Sequence, residues 1–453
     1  MHPAPHNTSK RPSPVVERPG VDRRAHTPRH STPGVLNPFT GPLSRPMWAQ
    51  AHRIPSQYPD TFDYSIYDRL YARFGDQQPR GGVVYKGTLK LLQAYNCAHC
   101  FHRFEIDTYG RGCVHNCAYC YAKSALSMHR SWNEPIPFPI DIAAIQNIFA
   151  TVFETSKRSK FRSILERRVP LRIGSMSDAF MWMDKKYRVT LELLKILRFY
   201  RYPYLIFTRS DLVADEEYLG VMDPTLASIQ MSLSSINPEL TRQLEPGAPA
   251  PSKRLQALQK LAEHGFWTTV RINPLFPIYP DGYYTNLHFD HSKPLKSFPF
   301  FSWDMLEVIA QHQIPSVVVG VVRLYLFNLR FMRQALGYNL RSHFTADTRA
   351  ERASLHFSAA ETAYYYTKIR ELCAKYGLRF STCYIGNDAR GESFQRYQPL
   401  WSNRADCCDA VGNVQAFRTT CASLPRGSGL PAKRLVPLGA GSQKVKEHSH
   451  THA

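Results

Sequence analysis

Strand-like and helical segments alternate along the middle of this chain of 453 residues. Short apolar runs rich in Val, Ile and Leu are separated by longer segments whose apolar side chains recur with helical spacing. We predict strands over 170–174, 204–208, 227–233, 267–272, 316–322 and 379–384, separated by helices over 141–168, 187–200, 215–221, 252–264, 303–312 and 359–376. Such alternation favours parallel βα units. The pattern predicts an α/β fold, a TIM-like partial (β/α)6 barrel with its chemistry at the carboxyl ends of the strands.

The two ends of the chain differ from the middle in composition. Residues 1–60 are rich in Pro, Arg, His, Ser and Thr, and residues 426–453 are rich in Gly and His. Segments of this kind bury too little apolar surface to fold. We therefore predict a disordered basic, Pro-rich arm over 1–60, an N-terminal extension over 61–108, the barrel over 109–390, a Cys-containing segment over 391–425 and a flexible tail over 426–453.

Three cysteines in one short stretch are the clearest chemical signal. Cys113, Cys117 and Cys120 have the spacing C-x3-C-x2-C, and Tyr119 precedes the last of them. Fe–S clusters are usually held by four cysteines. A three-cysteine loop therefore implies a 4Fe-4S cluster in which one iron binds something else. Zinc is the alternative, since closely spaced cysteines are often zinc ligands, but zinc loops usually pair two C-x2-C units.

The loop resembles the signature of the radical S-adenosylmethionine (radical SAM) enzymes. Further segments resemble the branch of that superfamily related to spore photoproduct lyase: GCVHNCAYCYA at 112–122, IGSMSD at 173–178, FTRSD at 207–211, MSLS at 231–234, LEP at 244–246 and VRINP at 270–274. In that superfamily the open iron chelates S-adenosyl-L-methionine (SAM), and reduction releases a 5′-deoxyadenosyl radical. The resemblance implies a radical SAM type of barrel and an external one-electron reductant of the flavodoxin or ferredoxin type.

The resemblance also implies which side chains bind SAM. Gly174 ends a strand, where a missing Cβ lets a ligand approach the backbone closely. Ser175 and Asp178 offer oxygens to the SAM ammonium, and Arg209 suits its carboxylate, which a guanidinium can bind through two hydrogen bonds. Other expected cofactor contacts come from Ser232, Ser234, Tyr119, Arg271 and Asn273. Each residue alone also fits a cap, a turn or a surface ion pair; the set at successive strand ends favours a site.

A catalytic cysteine is harder to identify. Spore photoproduct lyase needs a cysteine downstream of the cluster loop that returns a hydrogen atom to the product, yet no cysteine occurs between Cys120 and Cys373. Cys383, at the end of a predicted strand, is the candidate, and a small buried core residue is the alternative. This gap argues against a photoproduct lyase in the strict sense.

Further cysteines lie outside the cluster loop. Those that we predict as ligands of a second metal are Cys97, Cys100, Cys407, Cys408 and Cys421. The metal is either tetrahedral zinc or an auxiliary Fe–S cluster. Nothing in the sequence shows that residues 97–100 and 407–421 meet in space.

The charge of the chain favours a polyanionic partner. The formal net charge is +21, which most simply indicates nucleic acid, although a merely basic surface is the alternative. Basic residues concentrate at 157–168, on a predicted helix face for which a solvated surface is the alternative, and at 323–352. In the second segment arginines mix with aromatic residues, which form either a lid or part of the core.

The compartment and the function follow from these observations. No apolar run reaches the ~18 residues of a membrane span, the N-terminus lacks the apolar core of a secretory signal, and the cysteines favour a reducing cytoplasm. We predict a radical SAM enzyme that acts on nucleic acid, in repair or modification. The alternatives are an enzyme that modifies a peptide or protein with an auxiliary cluster, and a zinc-bearing nucleic-acid-binding protein without catalysis.

Overall fold

A computed structural model of the chain describes residues 90–91, 104–110, 112–125, 137–140, 142–276, 302–336, 354–355, 357, 359–383 and 408–422. The predicted arm over 1–60 and the predicted tail over 426–453 lie outside these residues, as do Cys97, Cys100 and Cys407. The domain boundaries given above therefore stay predictions.

A mostly parallel sheet forms the centre of the fold. The strands are β1 (Lys90–Leu91), β2 (Phe104–Ile106), β3 (Tyr109–Gly110), β4 (Phe138–Pro139), β5 (Leu171–Ile173), β6 (Tyr204–Thr208), β7 (Ala227–Ser232), β8 (Trp267–Leu275), β9 (Ser316–Val321), β10 (Leu324–Tyr325), β11 (Ser354–Leu355) and β12 (Arg379–Thr382). Among the described residues, eight strands form one sheet in the order β1-β2-β5-β6-β7-β8-β9-β12. β1 is antiparallel to β2, and the other neighbouring pairs are parallel. The predicted α/β class is confirmed, and the sheet is open rather than a closed barrel.

Helices connect the strands. They are α1 (Tyr121–Ala125), α2 (Ile142–Phe153), α3 (Arg162–Glu166), α4 (Asp184–Tyr187), α5 (Val189–Phe199), α6 (Glu216–Leu219), α7 (Pro238–Leu244), α8 (Pro251–Glu263), α9 (Met305–Gln311), α10 (Leu326–Leu336), α11 (Ala359–Lys375) and α12 (Gln415–Ala422). A short 3-10 helix spans Asp211–Ala214. In the described part of the chain, no helix combines the length and the apolar character that crossing a membrane requires.

The single helix predicted over 141–168 is wrong: two helices, α2 and α3, are joined by a loop over 154–161. The guanidinium of Arg162 donates hydrogen bonds to the carbonyls of Thr151 (3.1 Å) and Val152 (2.8 Å) in the last turn of α2, and to those of Thr155 and Lys157 (both 2.7 Å) in the loop. The last carbonyls of a helix have no partner within it. The Arg162 side chain supplies such partners where α2 ends at Phe153.

The two faces of the sheet differ in polarity, since successive side chains of a strand point to opposite faces. The outer face carries Ile173, Ile206 and Ile229, which are fully buried in the hydrophobic core. The inner face carries Gln230 and Arg271, whose side chains hydrogen-bond to each other across β7 and β8. The hydrophobic core on the outer face holds the strands in register, and the polar side chains of the inner face are available to bind a ligand.

The C-terminal segment over 408–422 covers the amino end of the inner face. The Cys408 carbonyl accepts a hydrogen bond from Gln230 Nε2 (2.9 Å). The fully buried Asp409 carboxylate accepts hydrogen bonds from Ser316 Oγ (2.9 Å) and from Arg379 Nε and Nη2 (both 2.8 Å). This end of the sheet is thereby filled by protein, and the carboxyl end is the place for a site.

Candidate active site at the carboxyl ends of the strands

The three cysteines lie on one loop between β3 and α1. The loop turns twice: Asn116 N donates to Cys113 O (3.1 Å), and Cys120 N donates to Cys117 O (3.2 Å). Asn116 has a positive φ of 48°, a conformation that asparagine tolerates better than most residues. Cys117 is buried, and Cys113 and Cys120 are partly buried. The chain therefore presents three thiols from two consecutive turns of one loop.

The loop is fixed from two sides. On one side, a Cβ added to Gly247 would lie 1.9 Å from the Val114 carbonyl oxygen, so only glycine fits here. Gly247 N donates a hydrogen bond to His115 O (3.2 Å). On the other side, Asn328 of α10 donates to Cys120 O (3.0 Å) and is fully buried. The predicted lid over 323–352 thus contacts the loop through its described part.

The surroundings of the thiols favour metal binding over free thiolates. Burial, the largest effect, raises the pKa of Cys117 to about 12, while the nearby Arg209 guanidinium opposes the rise. Burial likewise raises the pKa of Cys113. A metal ligand must be the deprotonated thiolate, and the positive charge of bound metal makes that form stable. The donor set of three soft sulfurs fits iron of an Fe–S cluster.

Among the described residues, no three Cys, His, Asp or Glu side chains are placed to share one metal ion. In a 4Fe-4S cluster each thiolate binds a different iron, so a cluster does not require its ligands to converge on a single ion.

Arg209 follows β6 and is held beside the loop by a buried carboxylate. Its Nε lies 3.6 Å from Glu245 Oε1, and its guanidinium lies 5.6 Å from the centre of the Tyr119 ring. Glu245 also accepts a hydrogen bond from the Tyr119 hydroxyl and pairs with Arg254 Nη2 (2.5 Å). The Tyr119 ring is buried and meets Phe276 edge to face at 5.2 Å. Contact of Tyr119 with the cofactor stays a prediction.

Asp178 joins the cluster loop to the strand ends. Its carboxylate accepts hydrogen bonds from Phe180 N (2.9 Å), Thr208 Oγ1 (2.8 Å) and Arg209 N (2.6 Å), and lies 3.0 Å from His115 Nε2. Burial alone raises the pKa of Asp178, but His115 and these donors hold it below its ordinary value. A carboxylate offers about four lone-pair sites, and all are used. The geometry gives Asp178 a positioning role, and the predicted contact with the SAM ammonium gains no support.

The loop after β5 is rigid. Gly174 has a φ of 84°, and an added Cβ would lie 2.3 Å from the Phe207 carbonyl oxygen, so the position requires glycine. The buried Asp107 carboxylate accepts hydrogen bonds from the backbone N–H groups of residues 175–177 at 2.7, 2.8 and 3.3 Å. The Ser175 side chain is half-buried at this edge of the site.

The inner face of the sheet carries two guanidiniums around one aromatic ring. Arg271 lies 4.3 Å, and Arg172 5.6 Å, from the centre of the Phe207 ring. Arg271 Nη1 donates to Gln230 Oε1 (2.6 Å), and Nη2 donates to Cys383 Sγ (3.2 Å). The predicted catalytic cysteine therefore lies at the end of β12 with its sulfur on the inner face.

The remaining predicted cofactor residues lie at neighbouring strand ends. Asn273 is half-buried, and Gly320 on β9 leaves it room, since an added Cβ there would lie 2.7 Å from Asn273 Cγ. Ser232 is buried at the end of β7, and Ser234 Oγ lies 3.4 Å from the Tyr119 hydroxyl. These residues share one end of the sheet with the cluster loop, and their contacts with a cofactor stay predictions.

The predicted second metal site is not assembled by the described residues. Cys408 is buried near the amino ends of the strands, opposite the cluster loop. Cys421 lies in α12, but its side chain is outside the described residues, as are Cys97, Cys100 and Cys407. A second metal stays a prediction.

The structure adds positioning residues that our reading of the sequence missed. They are Asp107, His115, Lys123, Glu245, Arg254 and Asn328. Lys123 of α1 donates a hydrogen bond from Nζ to Asn116 Oδ1 (2.6 Å) in the loop, and its position three residues after Cys120 was the signal that could have indicated it. The buried Glu245–Arg254 pair had only a weak one, two opposite charges around a Pro-rich turn.

Comparison with known proteins agrees with the geometry. Residues 108–284 match the family model of the radical SAM superfamily. An uncharacterized protein of Mycobacterium tuberculosis is 24% identical over 189 residues, 41% of this chain and 54% of that protein. An uncharacterized protein of Methanocaldococcus jannaschii is 27% identical over 202 residues, 42% of this chain and 67% of that protein. This chain thus matches about half the length of its mycobacterial relative.

Solved structures with a similar course of the chain include a spore photoproduct lyase variant with bound SAM and dinucleoside spore photoproduct. It has a TM-score of 0.45 and 12% identity, and covers 70% of this chain and 93% of that one. Streptococcus suis SuiB bound to SAM has a TM-score of 0.30 and 11% identity, and covers 51% and 46% of the two chains. The cysteine loop at the carboxyl ends of the parallel sheet lies within residues 108–284, the part of this chain that matches the family model of the radical SAM superfamily.

Proposed function

We propose that this chain is a radical SAM enzyme in which Cys113, Cys117 and Cys120 hold a 4Fe-4S cluster with one iron open to SAM. The observation that carries the proposal is a three-thiol loop, fixed by Gly247 and Asn328, at the carboxyl ends of parallel strands. When bound, the cluster and SAM supply a one-electron cleavage that yields methionine and a 5′-deoxyadenosyl radical able to abstract a hydrogen atom.

Arg209 is the side chain best suited to the SAM carboxylate. Its Nε lies against Glu245, and its side chain is 23% exposed, so part of it is accessible to a ligand. A guanidinium binds a carboxylate through strong charge-assisted hydrogen bonds. Glu245 and Tyr119 hold the guanidinium in place.

We assign the substrate to nucleic acid. The net charge of +21 favours a polyanion. On the inner face, the Arg271 guanidinium lies 4.3 Å from the Phe207 ring centre, and that of Arg172, which pairs with the buried Glu105, lies 5.6 Å from it. A polar face that includes an aromatic ring suits a nucleotide. An external flavodoxin or ferredoxin would supply the electron, and a reducing cytoplasm is the proposed compartment.

Cys383 is the proposed catalytic thiol. Its sulfur is partly buried on the inner face and accepts a hydrogen bond from Arg271. A thiol held there can give a hydrogen atom to a substrate radical next to it. Arg271 fixes the position of the sulfur through this hydrogen bond, and the transfer of the hydrogen atom leaves a thiyl radical on Cys383.

The test of the enzyme is anaerobic reconstitution with iron and sulfide, followed by SAM and dithionite. Wild type should form 5′-deoxyadenosine, and the triple variant Cys113→Ala, Cys117→Ala, Cys120→Ala should not. Cys373→Ala is the matched control, because this buried cysteine lies on α11, outside the loop. Iron-loaded wild type that forms no 5′-deoxyadenosine contradicts the proposal, and a colourless protein with zinc favours the non-catalytic alternative.

A separate variant tests Cys383. Cys383→Ser should retain formation of 5′-deoxyadenosine, because the cluster loop is untouched, and should lose turnover of a nucleic-acid substrate. Equal loss of both would show that Cys383 has a structural role only.

A further inference from the structure

The loop over 154–161, here called the basic loop, lies at the opposite end of the sheet from the cysteine loop. The Phe161 ring lies 6.4 Å from the ring of Phe104, the first residue of β2. Next to it, Arg168 donates hydrogen bonds to the carbonyls of Tyr200 (2.8 Å) and Arg201 (3.0 Å), just before β6. The basic loop is therefore at the amino ends of the strands, and the proposed chemistry makes no use of it.

The basic loop is fixed by its own side chains. Arg162 donates to four carbonyls of residues 151–157 at 2.7 to 3.1 Å. Thr155 Oγ1 donates to Thr151 O (2.7 Å), and Ser159 Oγ accepts from Phe161 N (3.2 Å). A ligand that binds this loop finds it already ordered, so little conformational entropy is lost on binding.

The basic loop presents cations without matching acids. Lys157, Arg158 and Lys160 are exposed and form no ion pair with the described residues. A surface cavity of about 480 Å³ is lined by Ser156, Arg158, Ser159, Lys160 and Arg162, and no carboxylate lines it. Of the nearby acids, Glu154 accepts a hydrogen bond from Tyr200 and Glu166 pairs with Arg162 (2.9 Å).

We propose that the basic loop binds phosphate groups of a nucleic-acid backbone. Lysine, arginine and serine hydroxyls are the donors that proteins use for backbone phosphates. The exposed side chains of the basic loop are polar, so the loop offers no apolar group for insertion into a lipid surface. The inference rests on the proposed function, which identifies the polyanion as nucleic acid. It adds a second contact site, where the nucleic-acid backbone binds at a distance from the reacting nucleotide.

Binding of fluorescent single-stranded and duplex oligonucleotides to the full chain, without SAM or reductant, tests the inference. The triple variant Lys157→Gln, Arg158→Gln, Lys160→Gln should bind more weakly. The slope of log affinity against log salt should fall by about 0.7 to 0.9 for each phosphate that the variant no longer neutralises, measured between about 50 and 200 mM salt. The three residues are exposed, so thermal unfolding should be unchanged.

The matched control is Arg242→Gln, Lys253→Gln, Lys260→Gln, which removes the same charge from α7 and α8. It should lower affinity less than the basic-loop triple. Equal losses would mean that net charge alone binds, and would overturn the inference. The inference would also be overturned if wild type bound vesicles of anionic phospholipid but no oligonucleotide, and the basic-loop triple variant lost the binding to vesicles.

The two proposals fail separately. Wild type that binds oligonucleotides through the basic loop but never cleaves SAM contradicts the proposed function alone. An enzyme that cleaves SAM, and whose basic-loop triple binds oligonucleotides like wild type, contradicts this inference alone.

Discussion

Single residues hold the site through buried charge. Glu245 is 2% exposed and Arg254 fully buried, and they pair at 2.5 Å. Arg254 also binds the carbonyls of Pro249 (2.8 Å) and Ser232 (3.1 Å). Removing one partner of such a pair leaves a buried charge without compensation. The orientation of Arg209 and Tyr119 therefore depends on a residue that touches no cofactor.

Replacement of Arg254 tests this dependence. Arg254→Met should lower the free energy of unfolding by about 3 to 5 kcal/mol, because Glu245 stays buried. Arg242→Met is the matched control: Arg242 is 65% exposed and pairs with Glu239 on the surface, so its loss should cost about 1 kcal/mol or less. Denaturant unfolding of both variants measures the difference, and equal effects would contradict the role given to Arg254.

Some residues of the candidate site could be predicted from the sequence, and others could not. Cys113, Cys117 and Cys120 could be predicted because local spacing alone brings their sulfurs to one loop. The full set of contacts of Asp178 could not, because three of its partners lie beyond its own loop: Thr208 at the end of β6, Arg209 just after it, and His115. A side chain's spare hydrogen-bonding capacity is a property of the folded chain.

Elements position the cysteine loop by close backbone contact. The loop rests on the turn at Gly247 and is covered by α10 through Asn328. Backbone atoms cannot move aside as side chains can, so the contact at Gly247 tolerates no larger residue. The loop thus keeps its shape through its neighbours rather than through its own sequence.

A methyl group at this contact should displace the loop. Gly247→Ala should reduce the iron bound after anaerobic reconstitution, because the added Cβ would lie 1.9 Å from the Val114 carbonyl oxygen. Gly412→Ala is the control, since nothing lies within 4 Å of the corresponding Cβ. Iron analysis and far-UV circular dichroism would separate loop displacement from unfolding. Full iron content in Gly247→Ala would show that the loop shifts without cost.

The elements themselves were predicted unevenly. Six strands of the parallel sheet, β5 to β9 and β12, were predicted because continuous apolar runs and β-branched residues mark strands buried on both faces, whereas β2 was not predicted. The predicted helix over 141–168 hid a loop, because Lys, Arg and Ser at 156–160 are compatible with helix by propensity. The hydrogen bonds of Arg162 at the end of α2 depend on chain reversal and leave no periodic signal.

The whole molecule is held together by contacts between distant parts of the chain. The C-terminal segment reaches the inner face through Asp409 and through the Cys408 carbonyl, which binds Gln230 178 positions away. This segment covers the amino end of the inner face of the open sheet, and no local sequence pattern predicts that contact. The sequence of residues 391–425 suggests metal binding alone, because only its cysteines stand out.

Removal of the Asp409 carboxylate tests this cover. Asp409→Ala should lower the free energy of unfolding by about 2 to 3 kcal/mol, since it removes charge-assisted hydrogen bonds from a fully buried group. Asp304→Ala is the control, because Asp304 is exposed and makes no capping hydrogen bond at α9; its effect should be within about 0.5 kcal/mol. Similar effects of the two would contradict a stabilising role for the segment.

The strands separate the cysteine loop from the basic loop by their own length. β7 has six residues, and a strand rises about 3.3 Å per residue, so the two rims stand about 20 Å apart. A DNA strand advances about 3.4 Å per nucleotide. About six nucleotides of a DNA strand with duplex spacing therefore match the distance between the two rims, whereas a mononucleotide reaches only one of them.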